Sequence, residues 1–178
     1  MQRIPLLENE TRAVTKPIWK NGRGKLGPLD PLLGHWVATA DTPMGRLKCT
    51  REFTRVLGKN YVLLNAKWDM EAKVYEELAY FGVARDGTLS CWSFTNDGKN
   101  SQGHLVDATD VHPEAVAFEA EMPAGTARQI YWPGEGGVIK MAVESKTKKG
   151  WNRFTKHEYR ACAAARSASP PWQVARKD

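Results

Sequence analysis

The sequence predicts an all-β fold: ten short antiparallel strands wound up and down into one closed barrel, preceded by an N-terminal arm. Three observations carry that prediction. From Gly34 to Cys162 apolar and polar residues alternate in short runs, the period-two signature of half-buried strands. Turn signals interrupt those runs at roughly the 8–12-residue spacing of sandwiches and barrels. The connections are short, so strands adjacent in sequence lie adjacent in space, whereas a Greek-key sandwich needs a long crossing connection that only residues 109–113 approach. Closing such a meander removes both exposed sheet edges. A ring wider than about eight strands also encloses space that its own side chains do not fill.

The elements follow in order. The first strand is Gly34–Ala40, turned by Thr42-Pro43-Met44-Gly45. The second, Arg46–Val56, sets Leu47, Cys49, Arg51 and Phe53 on one face against Arg46, Lys48, Thr50 and Glu52 on the other. Gly58-Lys59-Asn60 turns it into a third strand, Tyr61–Trp68, and a fourth, Lys73–Ala84. Asp86-Gly87 and Asn96-Asp97-Gly98 are hairpin signals because both supply residues that tolerate φ > 0. They bracket the fifth strand, Thr88–Thr95, and lead to the sixth, Ser101–Ala108. The seventh is Ala115–Met122 and the eighth Thr126–Trp132. Pro133-Gly134-Glu135-Gly136-Gly137 reads as loop. The ninth strand is Val138–Ser145, and Lys148-Lys149-Gly150 turns it into the tenth, Trp151–Cys162.

Charge divides the chain. Residues 1–29 hold six Lys/Arg and two Asp/Glu, residues 163–178 hold three and one, and residues 30–162 hold seventeen of each. The expected organisation is therefore a basic arm (1–29), a neutral barrel domain (30–162) and a C-terminal tail (163–178). Leu6, Leu7, Ile18 and Trp19 are candidates to pin the arm, and Trp172 to dock the tail. A neutral barrel argues against nucleic acid as a partner of the body. No apolar run reaches the roughly 18 residues of a membrane span. The N-terminus lacks the apolar stretch of a secretory signal, and three cysteines without CxxC spacing argue against disulfide or zinc frameworks. A cytoplasmic location is expected. The arm leaves homodimerisation by strand exchange open.

Gly34-His35-Trp36 on the first strand and Glu158-Tyr159-Arg160 on the last resemble the calycin barrels, the lipocalins and fatty-acid-binding proteins. The body, with "FTNDG" and "GWNRFTKHEYR", is most similar to a bacterial calycin-like family of unknown function. The resemblance implies a calycin-like barrel in which Trp36 plugs one end and Arg160, or else Arg153, covers it.

Within such a barrel Arg51 is the unusual residue. A guanidinium facing inward is costly unless paired. A ligand carboxylate matches its fork, and Arg55 follows on the same face. The alternative is an internal ion pair with Glu76, Glu77 or Glu144. Trp68, Trp92, Phe94, Phe118 and Met141 sit on the more apolar faces of their strands and are candidate pocket lining. His104, His157 and Tyr159 complete the lining and are the candidate acid–base groups, with Glu144 beside the His157/Tyr159 pair. His35 is expected at the surface and His112 in a turn.

The expected function is binding of a small apolar or amphipathic molecule, acidic at one end, with no cofactor. The alternatives are an enzyme acting on such a ligand by acid–base chemistry, and a haem-binding protein similar to nitrobindin with His157 as iron ligand. No nucleotide loop, HExxH or GxSxG is present, and the glycine-rich 134–137 segment precedes a strand rather than a phosphate-cradling helix.

Overall fold

The computed structural model describes residues 19–42, 45–70 and 73–163. Ten strands close into one antiparallel barrel in which every strand pairs with its sequence neighbours and the first meets the last. They are β1 (Gly34–Thr42), β2 (Gly45–Val56), β3 (Tyr61–Met70), β4 (Lys73–Val83), β5 (Leu89–Thr95), β6 (Asn100–Val106), β7 (Val116–Met122), β8 (Gly125–Pro133), β9 (Ile139–Thr147) and β10 (Gly150–Ala161). Each expected strand is present, with ends displaced by a residue or two. The Thr42–Gly45 turn and the anchoring roles expected of Leu6, Leu7, Ile18 and Trp172 fall wholly or partly outside the described residues. No helix among the described residues is long and apolar enough to cross a membrane.

Two short 3-10 turns depart from the expectation. Gly27–Leu32, expected to be irregular at its start, forms one such turn. Pro28 suits its first turn because the missing N–H would be unpaired there anyway. Leu29 and Leu32 are fully buried and Leu26 nearly so, so this turn stoppers one end of the barrel. It straddles the point where the charge changes from basic to neutral. Glu135–Gly137 is a single turn within the expected loop, with Gly136 at φ 68°.

The stoppered end is packed solid. Trp36, Phe53, Val62, Leu64, Phe81, Phe118, Tyr131 and Met141 belong to one continuous buried cluster there. Phe53 packs edge-on to Tyr131 and Phe81 edge-on to Phe118, with ring centres 5.7 and 4.8 Å apart. Trp36 is the inward plug, and its Nε1–H donates to Leu32 O at 2.7 Å. The cover implied for it does not form. Arg160 pairs opposite Val37, one residue out of phase with Trp36, and points outward. Arg153 is also on the outer wall, over the Trp132 ring. Arg55 supplies the ionic lock at this end instead, donating to Asp30 of the 3-10 turn.

A second apolar cluster lies outside the barrel, where Ala117, Ile130, Trp132 and Ala142 are covered by the 107–115 connection. A buried ion network fastens that cover. Arg128 bonds both Asp110 oxygens (2.6 and 3.1 Å) and Glu144 (2.8 Å), and Arg153 bonds the other Glu144 oxygen (2.8 Å). Arg128 also stacks on Trp151, 4.2 Å from the ring centre.

Candidate functional site

The residue that organises the lumen is Arg51. Parity along β2 sets it inside with Cys49 and Phe53, and it is 2% exposed. From β2 it reaches across to β8 and β10. Its Nε donates to Tyr159 Oη at 3.1 Å and its Nη1 to Tyr131 Oη at 2.5 Å. The Gln129 carboxamide, oxygen turned inward, accepts from Nη1, Nη2 and Tyr131 Oη, each at 3.1 Å. These bonds use four of the five guanidinium N–H groups and leave one on Nη2. The guanidinium carbon also lies 4.7 Å from the Trp68 ring centre.

Among the described residues no counter-charge is in contact with Arg51. The ion pairs among the described residues all lie elsewhere. Of the three glutamates expected as alternatives, Glu76 is exposed on the outer wall and Glu144 belongs to the outer network. Glu77 faces the lumen but accepts from Ser93 Oγ at 2.7 Å and acts on Arg51 only at longer range. Burial opposes the charged form of Arg51, while Tyr131, Tyr159 and Glu77 favour it. The balance holds its pKa above the ordinary arginine value, so the cation persists at every accessible pH.

Beyond the Arg51 layer the inward-facing side chains of Trp68, Tyr75, Glu77, Ser93, Gln129 and His157 are half-buried. Trp68 and Tyr75 lean together with ring centres 5.2 Å apart. The wall facing Arg51 carries short residues. Ser93 pairs with Ser101, Cys91 with Gly103, and Gly103 with Ala120. A Cβ on Gly103 would come 2.8 Å from Glu119 O and 3.1 Å from Cys91 Sγ, so only glycine fits there. The seam between β1 and β10 is brief. Its pairs stop at Trp36–Ala161 and Val37–Arg160, and His157 lies on the side where no pair follows.

The titratable groups of this mouth are tuned by burial and by Arg51. Burial, then Arg51, lowers the pKa of His157, so it is neutral at pH 7. Burial raises the Tyr159 phenol against an opposing pull from Arg51. Burial pushes the Cys49 thiol up to about 11, and the Cys91 thiol likewise to about 11. Both thiols are therefore protonated and unreactive at neutral pH.

Of the residues expected to line a pocket, the structure gathers Arg51, Trp68, Phe118, Met141, His157 and Tyr159 inside. Phe118 and Met141 lie in the packed end and the others at or above Arg51. Trp92 and Phe94 are on the outer wall, because Cys91 and Ser93 take the inward positions of β5. His104 is also outside, exposed between Ser90 and Glu119. Of the candidate acid–base set, only His157 and Tyr159 meet, with ring centres 6.0 Å apart. His35 lies on the outer wall, 3.6 Å from Glu52, and His112 Nδ1 accepts from Glu114 N in its turn. Among the described residues no group of three or more His, Cys, Asp or Glu side chains could hold a metal ion.

Gln129, Tyr131, Tyr75 and Ser93 were not foreseen as site residues. Alternation does not separate the two faces of β8, because its outer residues Ile130 and Trp132 are as buried as its inner ones. Compared with known proteins, the chain matches no protein-family profile and no curated protein.

Proposed function

We propose that the barrel mouth binds a small anionic amphipathic molecule, with the acidic head on Arg51 and the apolar or planar body against Trp68 and Tyr75. The observation that carries this reading is a buried guanidinium held by two phenols and a carboxamide, with no carboxylate in contact among the described residues. Taking such a charge out of water costs several kcal/mol that neutral partners repay only in part. A ligand carboxylate, sulfonate or phosphate supplies the missing charge and accepts a charge-assisted hydrogen bond from the N–H left on Nη2. The short side chains on the facing wall and the brief β1–β10 seam favour access from above rather than through the stoppered end.

Acid–base catalysis is the weaker reading. Glu144 and His104 point away from the lumen, and the phenol beside His157 is already committed to Arg51. Haem ligation rests on His157 alone, and its ring neighbour is Tyr159, edge-on at 6.0 Å. Native mass spectrometry of the purified protein and of Arg51→Met tests the proposal. The expected result is a small acidic adduct retained by the wild type and missing from the variant. An adduct retained equally by both contradicts it.

A further inference from the structure

A second concavity lies outside the barrel, at the stoppered end. It consists of two adjoining open grooves of about 450 and 360 Å³ that share Tyr61 and Val83 as their common wall. Trp92 and Arg85 line the larger groove, and Arg23, Lys25 and Lys59 line the smaller. We propose that this double groove is a binding site for a nucleoside diphosphate, with the base against Tyr61 and Trp92 and the phosphates among Arg23, Lys25, Lys59 and Arg85. The site is separate from the lumen and does not depend on the function proposed for it.

Charge is the first argument. Arg55 also borders the smaller groove but is matched by Asp30. Arg23, Lys25, Lys59 and Arg85 have no carboxylate within 4 Å among the described residues. The acid in the groove wall, Asp86, is committed to its own turn, accepting from Thr88 N at 2.9 Å. Four cations against one carboxylate in a concavity focus a positive potential. Two of the cations are placed by the backbone. Leu57, Gly58 and Lys59 take φ of 49°, 66° and 68°, and Asn60 closes that turn onto Leu57 O. Lys25 is steadied by Gly87 O at 3.4 Å.

The aromatic wall is the second argument. Tyr61 packs against the bare backbone of Gly82, where an added Cβ would come within 2.4 Å of two ring carbons. Trp92 belongs to the same outer face two strands away, and Gln102 pairs beside it with an amide to meet a base edge. A planar ring stacks on such surfaces, whereas a bare polyphosphate gains nothing from them.

Calorimetric titration of the full-length protein with ADP tests the assignment, with adenosine and pyrophosphate in parallel. ADP should bind at least about tenfold more tightly than either fragment, and its affinity should fall as salt rises from roughly 50 to 300 mM. The double variant Lys59→Ala/Arg85→Ala changes only exposed side chains. It should melt with the wild type and lose about tenfold in affinity. Arg51→Met should leave the ADP affinity unchanged. Pyrophosphate binding as tightly as ADP would overturn the assignment. So would full affinity in the double variant, loss of ADP binding in Arg51→Met, or no saturable binding of ADP.

Discussion

Replacing Arg51 by methionine separates a binding role from a structural one. The substitution keeps much of the volume and removes the charge. It takes a hydrogen-bond donor from Tyr159, Tyr131 and Gln129. A buried neutral group left without a partner costs about 1–3 kcal/mol. Tyr131 and Gln129 are already 3.1 Å apart and can satisfy one another. Against that loss stands relief from burying an ion with no counter-ion in contact, worth several kcal/mol. The variant should therefore be as stable as the wild type or up to ~3 kcal/mol more stable, with a melting temperature higher by up to ~10 °C for a chain of this size. Urea unfolding at constant m reads the difference. The same variant should bind 8-anilinonaphthalene-1-sulfonate, a planar anionic amphipath, about 10–150-fold more weakly, since a hydrogen bond to a charged group is worth roughly 1.5–3 kcal/mol. Its uncharged relative N-phenyl-1-naphthylamine should bind both proteins alike. A variant destabilised by more than ~3 kcal/mol that binds the sulfonate normally would refute the reasoning. Arg51 would then be a structural strut.

Further outcomes follow from the same geometry. Glu77→Gln removes the lumen's own carboxylate and should raise affinity for the sulfonate several-fold at low ionic strength, read by fluorescence titration. The folded-state pKa of His157 is lowered, so on acidification the unfolded chain takes up the proton first. Its contribution to stability should be intact above about pH 6.5 and decline below it, and His157→Gln should flatten that decline in a series of melts. Anion binding beside His157 favours its charged form, so the imidazole should titrate at a higher pH in the complex, measurable by NMR. Glu144→Gln leaves Arg128 buried without full compensation and should cost about 3–5 kcal/mol. Amide exchange should quicken in residues 107–115 while sulfonate binding per folded molecule is unchanged.

How much was legible in the sequence depends on what covers each wall. On β2 one face meets water, so alternation put Arg51, Cys49 and Phe53 inside correctly. On β8 the 107–115 connection buries Ile130 and Trp132 from outside, and both faces read as core. Tyr131 and Gln129, the main partners of Arg51, were hidden by that cover. On β5 Trp92 and Phe94 lie outside while Cys91 and Ser93 lie inside, the reverse of the usual rule. The stopper was missed because 3-10 turns are too short to show a period, although Leu26, Leu29 and Leu32 at threefold spacing were its trace. Strand order and closure were readable because every connection is local.

The most direct test of the central claim is an NMR titration of the protein with 8-anilinonaphthalene-1-sulfonate, following the Arg51 Nε–H and His157 side-chain signals beside the indole of Trp92. Arg51 and His157 should shift together and saturate at one ligand per chain while Trp92 stays still. Saturable shifts at Trp92 with a silent Arg51 would place the anion on the outer wall and contradict the account.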